Sequence, residues 1–265
     1  MQVSIRLFQN DENENLTQLL KAEFIMVSRD PLDGNRKIRV HGLKAQTPDE
    51  AETINRTKEQ LSKMHSVQGK HPTNEELRFI DKMYRELMGR SGNDDIVLAP
   101  SEMWLHRTKL SITDICFPEH QNMYGKIFGG FLMRKALELA FTNAKLYCKG
   151  RVSVRSMDQI EFRKAVEIGN ILHFDSFVTS TNGKYIQMKV VASVSDQNRL
   201  PELAKINNAT LGQEARVNTN VFNFTMESVE NPSVLTVVPK HYVHANTYLE
   251  GRRLLNNTLK RIVNY

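Results

Sequence analysis

At 265 residues and 40% hydrophobic, the chain can bury one good core with material left over, or two small ones. Its 36 Lys and Arg against 30 Asp and Glu give a net charge of +6, without long basic runs or aromatics interleaved among them; this argues against a nucleic-acid face and suits small anionic partners. Two cysteines, Cys116 and Cys148, are too few for a disulfide framework or a zinc site, and no apolar stretch reaches the roughly 18–20 residues that span a membrane.

Residues 1–30 predict a hairpin. Val3, Ile5 and Leu7 alternate with Ser4 and Arg6, Asn10 to Asn15 is a polar turn, and Ala22, Phe24 and Met26 alternate with Glu23, Ile25 and Val27. The second strand is apolar on both faces, so both are expected to be covered. A lone hairpin is marginal in water, which leads to the expectation of a sheet supplied by chain before Met1. Residues 31–100 read as a helical linker. Thr47-Pro48-Asp49-Glu50 sets a capping Thr before a Pro at the first helical position, opening a polar helix to about Ser66. Thr73-Asn74-Glu75-Glu76 repeats the capping box ahead of Leu77, Ile80, Met83, Tyr84 and Leu87, a stripe at helical spacing, before Gly89 to Asp95 breaks the chain.

Residues 101–265 form the main predicted domain. Leu110 to Phe117 is β-like, 128–148 is helical, and strands follow near 152–163, 170–181, 185–195 and 217–227. Ile186, Met188, Val190, Ala192 and Val194 make one strand face, with Gln187 and Lys189 on the other, and Asn182-Gly183 marks a hairpin. Asp196 to Arg216 is polar and long for a strand connection, so it reads as a loop. Tyr248, Leu255, Leu259 and Ile262 predict a C-terminal helix. One helix followed by an antiparallel meander defines an α+β fold, the helix packing on the concave face of the sheet.

No G-x-S-x-G elbow, H-E-x-x-H, Walker A loop or dinucleotide fingerprint is present. His241 and His244 have no acidic or cysteine partner nearby in sequence, so they read as a surface pair and no metal is expected. What stands out is the run from His120 to Arg134, in which Gly129 and Gly130 immediately precede the helix. A helix start offers free amides and roughly half an elementary positive charge. Without side chains, the two glycines let a carbonyl oxygen reach those amides, where it would be polarised. Tight helix–sheet packing favours glycine equally, and the residues alone do not choose between the two.

Along the helix, Arg134, Glu138, Thr142 and Lys145 fall on one stripe, while Leu132, Ala136, Leu139, Ala140 and Phe141 cover much of the rest. Glu138 either reaches a water near the Gly–Gly turn or pairs with Arg134, and the ion pair is the plainer reading. Asp158 shares a predicted strand face with Val152, Val154, Ile160 and Phe162; a carboxylate there needs partners, and a structural role is expected.

The run His120-x-Asn122-x-x-Gly125-x-x-Phe128-Gly129-Gly130-x-x-Met133 resembles the motif of hotdog-fold acyl-CoA thioesterases. Asp158-x-Ile160-x-Phe162, Val166-Glu167-Ile168-Gly169, Thr219-Asn220-Val221-Phe222 and Tyr248-Leu249-Glu250-Gly251-Arg252-Arg253 are further matches, most similar to mitochondrial members with two tandem hotdog domains. The resemblance covers nearly the whole chain. It implies that residues 1–30 are remnant strands of a first hotdog domain and that 101–265 are the second. It also implies hydrolysis of fatty acyl-CoA to free acid and coenzyme A, with a carboxylate as general base and main-chain amides holding the oxyanion.

Carried onto this sequence, Asn122 positions the water or carbonyl, Gly129 or Gly130 supplies the oxyanion amides, and His120 orients. Gly125 and Phe128 complete the substrate-binding motif. The departure lies in the helix: where many relatives carry Asp-Glu, this chain has Leu137-Glu138. Either the base sits on the first domain, or Glu138 substitutes. No cofactor is implied, coenzyme A being part of the substrate. The expected partners are acyl-CoA and a second hotdog domain or a homo-oligomer, with no nucleic acid and no membrane span, in the mitochondrion. The alternatives are a catalytically incomplete acyl-CoA-binding or scaffolding module, and a hotdog dehydratase using His120.

Overall fold

In a computed structural model, which describes residues 2–10, 15–26, 28, 30, 36–67, 71–92, 95–195 and 216–263, the chain divides into two units, Met1–His71 and Pro72–Tyr265. Most of the predicted Asn10–Asn15 turn and of the Asp196–Arg216 loop lies outside the described residues.

In the first unit, β1 (Gln2–Asn10) and β2 (Leu16–Ile25) pair antiparallel. The register sets Val3 opposite Phe24, Ile5 opposite Ala22 and Leu7 opposite Leu20, which gathers the apolar side chains on one face. Ile5, Leu7, Leu20 and Phe24 are exposed, so the described residues do not supply the cover expected for this hairpin. Helix α1 (Pro48–Val67) opens as its sequence predicts. Thr47 Oγ1 accepts the Glu50 amide at 3.3 Å, and Glu50 Oε2 accepts the Thr47 amide at 3.2 Å.

The second unit begins with α2 (Asn74–Met88), capped by Thr73 and Glu76. Two short pairing segments, β3 (Ser91–Gly92) and β4 (Asp95–Ile96), precede β5 (Glu102–Trp104), a 3-10 turn at Leu105–Thr108, and β6 (Leu110–Ile115). Then come α3 (Gly129–Cys148), β7 (Val152–Phe162), β8 (Ile171–Asn182), β9 (Tyr185–Ser195) and β10 (Arg216–Ser228). The chain ends with β11 (Thr236–Val238), which pairs in parallel with β5, and α4 (Tyr242–Val263). The main sheet is antiparallel, in the order β6-β8-β9-β10-β7.

Helix α3 lies on the inner face of this sheet. Its stripe of Leu132, Ala136, Leu139, Ala140 and Ala144 is buried, and the alanines let it settle onto Phe174, Met188, Val190, Phe222 and Phe224. Truncating one of these phenylalanines to Ala would cost roughly 3–5 kcal/mol. Helix α4 covers the outer face. Lys189 Nζ meets Glu250 at 2.8 Å, and a Cβ on Gly251 would stand 2.3 Å from Thr179 Oγ1, so glycine permits the close approach. Both faces of β10 are therefore buried.

Three expectations change. Helix α2 does not belong to a free linker: Ile80 joins the main core, Leu87 packs with Trp104 and Val238, and Phe79 stacks on Tyr248 at 6.3 Å. Its apolar stripe needs a surface, and α4 with the β5–β11 region provides one. Secondly, β7 does not keep a single alternation. Its pairing with β10 shifts between Thr225 and Met226 and again between Val221 and Asn223, and Gln159 takes φ +48°. These bulges turn Asp158 away from the Val152 and Phe162 face and toward α4. There its Oδ2 accepts hydrogen bonds from Ser156 Oγ (2.8 Å), Thr258 Oγ1 (3.1 Å) and Arg261 Nη2 (2.8 Å), a structural role. Thirdly, the β8–β9 turn is made by Gly183 and Lys184, one residue later than the Asn-Gly pair suggests, with Gly183 at φ +56°.

Both cysteines are free and buried, and burial, reinforced by Asp114, pushes the Cys116 thiol up to about 11.

Candidate active site

The segment between β6 and α3 is a tight hairpin that aims the start of α3. A 3-10 turn at Pro118–His120 leads to a bridge between Gln121 and Ile127. Asn122 ties the tip: its Oδ1 accepts the backbone amides of Tyr124 (2.9 Å) and Lys126 (3.2 Å), and its backbone N–H donates to the Lys126 carbonyl at 2.6 Å. Gly125 closes the turn at φ +67°, a conformation that side chains resist. The hairpin is pinned on both flanks. Ile127 donates to the Val166 carbonyl at 2.9 Å, Lys126 Nζ meets Glu167 at 2.5 Å, and the Phe128 amide donates to the His120 carbonyl at 2.8 Å.

The consequence is a helix that starts bare. Phe128 occupies the N-cap position and offers no side-chain hydrogen bond, and the Gly129 and Gly130 amides have no partner among the described residues. The glycines also let two phenylalanine rings pack closely on the helix start. A Cβ on Gly129 would sit 3.0 Å from Phe162 Cε1, and one on Gly130 only 2.3 Å from Phe128 Cε1. Packing and free amides thus coexist at the same two residues.

Beside this helix start lies a groove of about 530 Å³ lined by His120, Phe128, Gly130, Phe131, Arg134, Lys135 and Glu138. The His120 ring stacks on Phe131 with centroids 3.9 Å apart, and its Nε2 lies 3.3 Å from Glu119 Oε1. Arg134 Nε donates to Glu138 Oε1 at 2.8 Å, the ion pair that the helical spacing suggested. Lys135 pairs with Asp114 at 3.1 Å and lies over the Phe131 ring. Both cations of the lining already hold a carboxylate, for which an anionic ligand would have to compete.

Four of the residues singled out from sequence, His120, Phe128, Gly130 and Glu138, share this groove. Gly129 turns toward Phe162 at its edge, whereas Asn122 and Gly125 build the supporting turn and do not line it. Leu137, at the position of the motif's Asp, packs against the core. Lys135 was missed, because a mostly apolar helix gives no signal of which non-core side chains border a cavity. Among the described residues, no grouping of His, Cys, Asp or Glu is arranged to hold a metal ion, and no helix is long and apolar enough to cross a membrane.

Solved structures share this architecture. An acyl-CoA hydrolase from Staphylococcus aureus, in complex with butyryl coenzyme A, coenzyme A and coenzyme A disulfide, superposes with a TM-score of 0.51 at 20% identity, covering 62% of this chain and 94% of that one. An apo-hexameric acyl-CoA thioesterase gives 0.51 at 21% identity, covering 61% and 97%. At that identity the likeness establishes the class, the hotdog fold. No protein-family model matches the chain. Among curated proteins, mouse acyl-coenzyme A thioesterase 10, mitochondrial, is 32% identical over 260 residues, covering 96% of this chain and 55% of the relative. Human acyl-coenzyme A thioesterase 9, mitochondrial, is 32% identical over 264 residues, covering 97% and 56%. The chain belongs to the acyl-CoA thioesterase family, and it spans about half the length of these relatives.

Proposed function

We propose that the chain is the second half of a two-domain hotdog thioester hydrolase that splits fatty acyl-CoA into free acid and coenzyme A in mitochondria. The observation that carries this reading is the bare start of α3, where the amides of Gly129 and Gly130 stand free beside the groove. Those amides take the thioester carbonyl oxygen. Water, giving its proton to a carboxylate, adds to the carbonyl carbon; the oxyanion collapses, the carbon–sulfur bond breaks, and the departing thiolate takes up a proton. Asn122, outside the groove's lining, holds the loop through Oδ1, and its Nδ2 is the group assigned to water or carbonyl. His120, stacked on Phe131, orients the substrate, Phe128 shapes its entry, and Gly125 sets the turn that presents them. The base is assigned to a carboxylate on a partner hotdog domain. Glu138 is the substitute, and it would have to leave Arg134 to take a proton.

A partner domain is supported by the exposed apolar face of β1–β2 and by exposed Val154, Met157 and Phe162 along the edge strand β7. An oligomer fits the same surfaces. No cofactor enters the reaction.

The test is thiol release from butyryl-CoA and longer acyl-CoA. Asn122→Ala lowers turnover by about a hundredfold or more, the scale of a lost positioning or oxyanion group; near-normal turnover overturns its role. Glu138→Gln changes turnover little when the base lies on a partner domain. A second reading, an acyl-CoA-binding module without hydrolysis, is favoured by Leu137 at the position of the motif's Asp. Tight binding with no thiol release supports it.

A further inference from the structure

Asn220 is the one residue whose side chain is wholly buried with neither polar atom, Oδ1 nor Nδ2, hydrogen-bonded among the described residues. An amide carries two donors and an acceptor, and leaving all of them unpaired in a core is strongly unfavourable. Such a group calls for an explanation, and a binding site is one.

Its position in the sheet says where it faces. On β10, Phe222, Phe224 and Met226 are completely buried beneath α3; Asn220, two residues before Phe222 with unbroken pairing to β9 between them, is on that same inner face. Its neighbour on β9 is Ala192, whose small side chain leaves room, and its neighbour on β7 is Phe162. The Phe162 ring packs on Gly129 and stands edge-on to Phe222 at 6.1 Å. Asn220 therefore occupies the end of the inner face where α3 begins, one cross-strand neighbour from the ring that touches the Gly129 backbone. The neighbours that share that face with it, Ala192, Phe162 and Phe222, are apolar.

We infer that Asn220 is a specificity-determining residue of the acyl site: its amide hydrogen-bonds an oxygen carried on the acyl chain near the thioester, so that hydroxyacyl-CoA is preferred over plain alkanoyl-CoA. The inference rests on the thioesterase reading of the Gly129–Gly130 site. A pocket built to hydrogen-bond a substrate oxygen rejects the analogue without one, because the protein's own buried amide is then left unpaired; a purely apolar pocket has no such asymmetry.

The experiment compares 3-hydroxybutyryl-CoA with butyryl-CoA in the full chain, as kcat/KM for thiol release and as Kd for the matching non-hydrolysable thioethers. The expected preference for the hydroxylated member is about tenfold or more in the wild type, falling to near unity in both Asn220→Leu and Asn220→Ala. Thermal melts accompany the kinetics, and Asn220→Leu is expected to melt at or above the wild-type temperature, since it removes a buried amide, keeps the branching and has the small Ala192 beside it to admit the larger side chain. Equal handling of the two ligands by the wild type overturns the inference. So does a preference that survives both substitutions, or a fall in kcat that is the same for both substrates, which would mean that Asn220 holds a water. A marked drop in the Asn220→Leu melting temperature also overturns it, because the amide would then be partnered within the fold. Loss of hydrolysis for every thioester with the thioether preference intact sinks the hydrolase reading and leaves the specificity assignment standing.

Discussion

Arg253 of α4 holds the Glu76 carboxylate of α2 in a fork, Nε to Oε1 at 2.6 Å and Nη2 to Oε2 at 2.5 Å, while Oε2 also accepts the Thr73 amide that caps α2 at 2.8 Å. One side chain thus closes a helix end and clamps that helix to α4. The Arg253 hydrogen bond is the main reason the Glu76 carboxyl is held down at about 2; partial burial opposes the shift, and the Thr73 amide adds to it.

Glu76→Gln should lower the unfolding free energy by about 2 kcal/mol near neutral pH, read from urea titrations, since it weakens hydrogen bonds made to a charged group. The folded carboxyl titrates below its ordinary 4.5, so the pair stabilises fully above that value and its contribution is lost as pH falls from 4.5 toward about 2. The gap between wild type and variant should shrink through that window. A gap that stays constant on acidification would show that the charge is not what the contact uses.

Gly130→Ala places a methyl group 2.3 Å from Phe128 Cε1. Phe128 is 58% exposed and its ring can swing away, so the melting temperature should hardly move. The displaced ring borders the groove, however, and turnover should fall by about a hundredfold. Restoring space with Phe128→Ala in the same chain should recover much of the loss; a double variant as poor as the single would point instead to the backbone of α3.

Asn143 sits buried in the middle of α3, its Nδ2 donating to the Thr108 carbonyl at 2.9 Å and to Ser176 Oγ at 3.1 Å. Thr108 Oγ1 in turn accepts the Val178 amide at 2.9 Å. Asn143→Leu strands these acceptors and should destabilise by roughly 1–3 kcal/mol, seen as a lower urea midpoint with an unchanged slope. An unaltered midpoint would mean that water replaces the amide.

His106 and His244 stack with centroids 5.5 Å apart, His241 adds a third ring 5.6 Å from His244, and the Nδ1 atoms of His106 and His244 are buried without partners among the described residues. Burial, followed by His244, Lys240 and Arg107, holds His106 below its ordinary value; burial and then His241 do the same for His244. The start of α4 adds its own positive end. Because the unfolded chain accepts these protons near 6.5 and the folded one resists them, stability should fall as pH drops from 6.5 through the folded values. His106→Phe keeps a ring in the stack and should flatten that fall in thermal melts; an identical pH profile would acquit the cluster.

By itself the sequence determined what depends on near neighbours in the chain. Capping chemistry placed the starts of α1 and α2, a period of two marked Ile186 to Val194 as one strand face, and the Gly–Gly pair marked the opening of α3. Such signals are legible because helix caps, strand alternation and tight turns are decided within a few residues. The tertiary structure alone decided the rest. Two bulges turned Asp158 to α4, since register depends on the partner strand rather than on the strand's own pattern. It also drew α2 into the core, set His106 against His244, and buried Asn220 beneath the end of α3 without a partner among the described residues. Each of these is a meeting of residues far apart in sequence, and only the packing of whole elements brings them together.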